Sequence, residues 1–145
     1  KAEDDVTVTY HDPCRLGRQM GIYEEPRELI AGVEGVELVE MEHHGEDAMC
    51  CGVSSMMSCN ENARSLRVSR MEEIRNTGAD MMITACPKCV SHFECLKFEG
   101  DERHDIEILD VVSFLARQVN AKKALSEASA TTQYSQCSVD FSVEA

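Results

Sequence analysis

The sequence predicts an α/β fold, a parallel sheet of about four strands flanked by helices. Short runs rich in β-branched and apolar residues recur along the chain and are typical of strands. Segments with the apolar spacing of helices separate these runs. Strict alternation of strand and helix is characteristic of a parallel sheet covered by helices.

The first half of the chain contains two predicted strands with a helix between them. Residues 6–10 (VTVTY) alternate in character, and Pro13 stops the strand because proline has no N–H for the ladder. Residues 26–31 (PRELIA) form a short helix with proline at its first position, and Gly32 breaks it. Residues 36–41 (VELVEM) form the second strand.

A longer helix is predicted over residues 60–76, where arginine-rich faces separate the members of an apolar stripe. The members of the stripe are Ala63, Leu66, Met71 and Ile74. Gly78 is the expected C-terminal cap, because glycine adopts the left-handed conformation there without strain.

The second half of the chain adds two strands and two helices. Residues 79–84 (ADMMIT) form a compact apolar run, typical of a buried parallel strand. A helix is predicted from Pro87 to Leu96, and residues 106–109 (IEIL) form the fourth strand. Asp110 caps the last helix.

Length and composition indicate one domain with its own core. The chain has 145 residues, 43% of them hydrophobic, and a net charge of −13. Such an acidic chain argues against nucleic acid and anionic membrane surfaces as partners. It has no apolar run near membrane-spanning length, so we expect no membrane insertion and a cytoplasmic location, with any membrane attachment made through partners. We expect a domain over residues 1–125, a flexible tail over 126–145 and, since the chain starts at Lys1, a longer parent polypeptide.

Eight cysteines are more than an ordinary intracellular domain uses. Disulfide frameworks typify small secreted chains that lack a sufficient core, which is not the case here. Adjacent cysteines such as Cys50 and Cys51 also do not easily bridge to each other. Metal binding is therefore the favoured explanation.

Five of the cysteines follow predicted strands, and the loops beyond the carboxyl ends of parallel strands gather at one edge of the sheet. Cys14 follows the first strand, Cys50 and Cys51 the second, and Cys86 and Cys89 the third. Cysteines far apart in sequence are thus delivered to one end of the fold.

The local spacing favours a multi-iron cluster over a single ion. Cys86 and Cys89 form a C-x-x-C pair at a helix start, where the helix N-terminus favours thiolates. A structural zinc ion takes four ligands, whereas five candidates are present, and zinc remains the alternative. Cys59 and Cys95 are possible additional ligands or plain buried thiols, and Cys137 lies in the predicted tail.

Four motifs in this order resemble the cysteine-rich CCG domain of the heterodisulfide reductase catalytic subunit and of glycolate and lactate oxidase iron–sulfur subunits. They are HDPC at 11–14, CCG at 50–52, GAD at 78–80 and TACPKC at 84–89. The resemblance covers residues 6–119 and implies a Rossmann-like module. It also implies a non-cubane [4Fe-4S] cluster with Cys14, Cys50, Cys51, Cys86 and Cys89 as ligands.

The resemblance further implies an oxidoreductase component that is inactive alone and cleaves a disulfide of the CoM-S-S-CoB type in one-electron steps. Its electrons would come from subunits or domains with ferredoxin-type clusters or flavin. A glycolate or lactate oxidase module acting on a 2-hydroxyacid, and a structural zinc-binding assembly module, are the alternatives.

Three further side chains are candidates for a role beside the cysteines or at the surface. His11 is a candidate hydrogen-bond donor to a cluster sulfur or a packing histidine. Lys88 is a candidate to offset cluster charge or attract an anionic substrate, with plain solvent exposure as the alternative. His43 is expected at the surface.

Overall fold

The computed structural model describes residues 5–53, 60–98, 100 and 106–129. Its strands are β1 (Val6–His11), β2 (Val36–Val39), β3 (Met81–Thr84) and β4 (Glu107–Asp110). Its helices are α1 (Gly17–Met20), α2 (Glu24–Ala31), α3 (Glu61–Asn76), α4 (Pro87–Phe98) and α5 (Val111–Ser129), with a 3₁₀ turn at Gly45–Asp47. The predicted α/β fold is confirmed.

All four strands are parallel and lie in the order β2-β1-β3-β4. The chain therefore builds outward from β1 on one side and then from β3 on the other. The strand order reverses between β1 and β3, and open α/β sheets bind ligands at such a switch point, beyond the carboxyl ends of the strands. The loop that carries Cys14 follows β1, and the loop that carries Cys86 follows β3.

Helices cover both faces of the sheet, and the strands alternate between two cores. Met81 and Ile83 pack on the face that also buries Ile30 of α2 and Phe114 of α5. Met82, between them in sequence, faces the opposite core. That core contains α3 and α4 side chains, namely Met71, Ile74, Phe93 and Leu96. This alternation is what a period of two residues requires in a strand buried on both faces.

Asp110 and Gly78 lie at helix ends, as the sequence predicts, and Asn60 is a further cap. Asp110 accepts hydrogen bonds through Oδ1 from the amides of Val112 and Ser113, both at 3.0 Å. Asn60 accepts from the amide of Ala63 at 2.9 Å. Gly78 follows Thr77, the residue that caps α3, with a φ of 70°, and its amide donates to the carbonyl of Arg75. These contacts satisfy backbone groups that a helix end leaves unpaired.

The structure differs from the sequence prediction in several places. Helix α1 and the 3₁₀ turn are absent from the prediction, because such short segments show no periodicity. Strand β2 ends at Val39, before the predicted limit at residue 41. Helix α5 includes residues 126–129 of the predicted tail, whereas Cys137 lies outside the described residues. Within the described part of the chain, no helix combines the length and the apolar character of a membrane span.

The buried face of α3 corrects the predicted apolar stripe. Ala63, Met71 and Ile74 are buried as expected, but Leu66 is 44% exposed. Arg67 and Arg70 instead lie on the buried face, each with a relative exposure of 0%. Positions 63, 67, 70 and 74 follow helical spacing, so the helix turns two arginines toward the core. The hydrophobic pattern missed them because it assigns arginine to solvent.

Candidate metal centre

A cleft at the carboxyl end of β1 gathers four of the five motif cysteines. Its wall includes Cys14, Cys50, Cys51 and Cys89, together with His11. The cleft is narrow and partly open to solvent. The cleft lies at the carboxyl edge of the sheet, where the sequence predicts a ligand site, and the strand order makes this position the switch point.

Cys51 and Cys89 form the closest contact of the site. Their Sγ atoms lie 3.3 Å apart, although 38 residues separate them in sequence. Both side chains are buried. A ring nitrogen of His11 and these two sulfurs all lie within 4.8 Å of one another.

The CCG turn depends on its glycine. Gly52 has a φ of 91°, and an added Cβ would overlap the carbonyl oxygen of Ala63 on α3. Its amide donates to Sγ of Cys50 at 3.3 Å, a contact that favours a thiolate. The turn therefore packs directly on α3 and holds Cys50 and Cys51 beside each other without room for a side chain at position 52.

Cys86 and Cys89 lie at the start of α4. The carbonyl of Cys86 accepts the amide of Val90 at 3.1 Å, so Cys86 caps the helix and Pro87 is its first residue. Cys86 is half-buried and packs against the core cluster that includes Cys51 and Cys89. It does not line the cleft itself.

Lys88 and Cys95 lie apart from the cleft. Lys88 is exposed on the first turn of α4 and is not part of the cleft wall. Cys95 is exposed on the same helix. Cys59 lies outside the described residues.

Burial changes the acid–base behaviour of two groups at the cleft. A hydrogen bond with Cys50 lowers the pKa of Cys51, but the contact with Cys89 and burial outweigh it and raise that pKa to about 12. Burial, reinforced by the charge of Arg70, lowers the pKa of His11 to about 3. Without a metal, both groups are therefore uncharged near neutral pH. Binding of a metal by Cys51 has to release its proton.

Asp12 ties together the loops that form the cleft. Its carboxylate accepts from Arg27 Nη1 and Nη2 at 2.7 and 2.8 Å, and from the amide of Gly45 at 2.8 Å. Burial acts to raise the pKa of Asp12, but the hydrogen bonds from Arg27 and Gly45 hold that pKa below its usual value. Arg27 also pairs with Glu40 at 2.7 Å. The contacts connect the loop of Cys14 to α2 and to the loop before the CCG turn.

The sequence pattern missed Asp12 because it assigns acidic residues to solvated faces. The available signal was the position of Asp12 inside the HDPC motif. A buried aspartate needs a cation beside it. The cation that fills this role is Arg27, on the helix that returns to the sheet.

A comparison with known protein families assigns the chain. The profile of the CCG cysteine-rich domain matches residues 8–94, which is more than half of the chain. This chain belongs to the CCG cysteine-rich domain family. The matched segment begins within β1, ends within α4 and includes all five motif cysteines.

Curated relatives of this CCG domain include several oxidoreductase subunits. A subunit of the CoB–CoM heterodisulfide reductase of Methanosarcina acetivorans is 36% identical over 115 residues, which is 78% of this chain and 28% of the relative. The probable iron-sulfur-binding oxidoreductase FadF of Bacillus subtilis is 33% identical, with 78% and 16% covered. A subunit of the fumarate reductase (CoM/CoB) of Methanothermobacter marburgensis is 37% identical, with 77% and 22% covered. The CCG domain thus spans less than a third of the length of these relatives.

The residues at the cleft fit an iron–sulfur group. The donors are thiols, which are soft ligands suited to iron–sulfur clusters. The close Cys51–Cys89 pair, the amide directed at Cys50 and the absence of space for a Cβ at Gly52 are features of this structure that match such a group.

Proposed function

We propose that this chain is the iron–sulfur module of an oxidoreductase. Cys14, Cys50, Cys51, Cys86 and Cys89 are the proposed ligands, and a non-cubane [4Fe-4S] cluster is the proposed cofactor. The observation that carries the proposal is the meeting of thiols from three strand ends at the switch point of the sheet. The names of the relatives, which include an iron-sulfur-binding oxidoreductase, support it.

The proposed reaction of the complete protein is reduction of a disulfide of the CoM-S-S-CoB type, as the name of the heterodisulfide reductase relative indicates. When bound, the cluster supplies single-electron transfer and an iron site with affinity for sulfur. Oxidation of a 2-hydroxyacid such as glycolate or lactate is the alternative within the same family. The chain is proposed to act with subunits or domains that carry ferredoxin-type clusters or flavin, in the cytoplasm.

The residues of the chain have separate tasks in this proposal. The cysteines bind the cluster and lose their protons on binding. Asp12 and Arg27 hold the loop of Cys14 against the rest of the cleft. Arg18 lines the mouth of the cleft, where its guanidinium donates to the carbonyl of Ala48 at 2.6 Å. His11 is 1% exposed and lines the cleft beside the buried sulfur pair.

Metal and sulfide analysis of the full chain, purified without oxygen, tests the proposal. We expect a brown protein with about four iron and about four acid-labile sulfide per chain, as in a [4Fe-4S] cluster. A colourless protein with one zinc and no sulfide would refute it and support the structural zinc module.

Cysteine variants test the ligand assignment. Cys51→Ser should abolish or distort the EPR spectrum of the loaded chain, because serine replaces a soft thiolate with a hard hydroxyl. Cys95→Ser is the matched control, since Cys95 is exposed on α4 and apart from the cleft. An unchanged spectrum in Cys51→Ser would remove Cys51 from the ligand set.

A further inference from the structure

His11 is the one imidazole of the described residues that lines the thiol cleft. It is the last residue of β1 and is 1% exposed. Its ring packs edge-on against Phe93 of α4, with centroids 5.1 Å apart and planes at 90°. The ring therefore has a defined orientation, with strand, helix and sulfur pair around it.

Arg70 of α3 donates a hydrogen bond to one of the two ring nitrogens of His11. Its Nε donates to Nδ1 of His11 at 3.2 Å, across 59 residues of sequence. Arginine stays protonated and has no acceptor atom, so Nδ1 has to supply the lone pair. A neutral imidazole that accepts at Nδ1 carries its proton at Nε2.

Arg70 is itself held by two further contacts. Its Nη1 donates to Oε2 of Glu73 at 2.6 Å and to the carbonyl of His43 at 2.7 Å. Glu73 in turn accepts from the backbone amide of His43. The guanidinium is thus fixed by one carboxylate and one loop carbonyl, and its Nε is left directed at His11.

We propose that Arg70 is a positioning residue that holds His11 as the Nε2–H tautomer, so that in the loaded site Nε2–H is a donor to a cluster sulfur and His11 does not ligate the metal. A histidine ligand at Nε2 would need its proton on Nδ1, where the N–H of Arg70 already lies. The role of the hydrogen bond in tuning a cluster rests on the proposed function. The tautomer assignment does not depend on the proposed function, because it rests on the hydrogen bond from Arg70.

Nitrogen NMR of the reduced, metal-free full chain tests the tautomer. Long-range ¹H–¹⁵N spectra distinguish a protonated from a bare ring nitrogen, and the spectrum of His11→Gln identifies the His11 signals. We expect the proton of His11 on Nε2 and a bare, hydrogen-bonded Nδ1. A proton on Nδ1 would overturn the proposal, whatever metal the chain binds.

The reduction potential of the loaded chain tests whether Arg70 acts through His11. Arg70→Met alone leaves Glu73 buried without its cation, so the informative comparison is Arg70→Met/Glu73→Gln against Glu73→Gln. Hydrogen bonds to sulfur raise the potential of a cluster. Loss of the hydrogen bond from His11 should lower the ratio of reduced to oxidised cluster at a fixed potential about tenfold. This change corresponds to a reduction potential lower by about 59 mV for one electron.

A His11→Phe background separates positioning from simple charge. If Arg70 acts through His11, removal of Arg70 in that background should leave the potential unchanged. An equal shift with and without His11 would show a direct effect of the arginine charge and refute the positioning role. Arg75→Met, which removes an exposed arginine at the far end of α3, is the charge control and should not shift the potential. A chain without iron or sulfide would refute the proposed function and leave the NMR result to decide the tautomer.

Discussion

Substitution of Asp12 by asparagine should destabilise the chain strongly, because it breaks a buried ion pair. The Asp12 side chain is 3% exposed and that of Arg27 is 11% exposed, and two hydrogen bonds of 2.7 and 2.8 Å join them. Loss of one partner of a buried pair costs about 3–5 kcal/mol. Arg27 keeps Glu40 and the carbonyl of Tyr23 as partners, which places the expected loss near about 3 kcal/mol, the lower end of that range.

Urea denaturation of the metal-free chain measures this loss. With a slope of about 1.5–2 kcal/mol per molar, a loss of about 3 kcal/mol lowers the midpoint by about 1.5–2 M. Glu107→Gln is the matched control, because it also neutralises a carboxylate with two hydrogen bonds to an arginine, Arg117. Both side chains of the control pair are nearly half exposed, so solvent screens them and the midpoint should barely move. A midpoint for Asp12→Asn no lower than that of Glu107→Gln would refute the reasoning.

Three further outcomes follow from the same site. Gly52→Ala should lower the unfolding midpoint and reduce metal uptake, because its φ of 91° is strained for alanine and the new Cβ overlaps the carbonyl of Ala63. Denaturation and metal analysis measure both effects. The folded pKa of His11, about 3, lies below the unfolded value of about 6.5, so the unfolded state binds the proton first. The free energy of unfolding should therefore fall as pH drops from about 6.5 towards 3, by up to about 1.4 kcal/mol per pH unit. Urea denaturation at several pH values measures this fall, and the His11→Gln variant should lack it. The affinity for zinc or iron should rise with pH between about 6 and 9, because the thiol of Cys51 must lose its proton on binding. Competition with a chelator measures this affinity. An affinity that does not change with pH would show that the thiol is already ionised in the metal-free chain.

Much of the fold was predictable from local pattern. Residues 79–84 are predicted as a buried strand because they form a short apolar run, and β3 is buried at all four positions. Asp110 is predicted as a cap because a carboxylate can accept from the free amides of a first turn, and it does so. Such features depend on neighbours in sequence, which is why one chain suffices to predict them.

The same local pattern fails where tertiary contacts decide burial. It predicts that Leu66 is buried, although this residue is exposed. It also predicts that Arg67 and Arg70 face solvent, although both are fully buried. The difference arises from partners that lie far away in sequence, such as His11 for Arg70 and His92 for Arg67. A buried cation is tolerated where distant groups accept its hydrogen bonds, and a hydrophobicity pattern contains no information about those groups.

The amino-acid order was enough to indicate parallel strands separated by helices and thiols placed after three strand ends, since both follow from short-range spacing and from the direction in which strands run. The tertiary structure determined the strand order and the contacts within the site. It set β1 beside β3, brought Cys51 to 3.3 Å from Cys89 and left Cys86 outside the cleft wall. It also placed Arg70 against His11. These outcomes depend on the packing of elements separated by tens of residues, and such packing is a property of the assembled core.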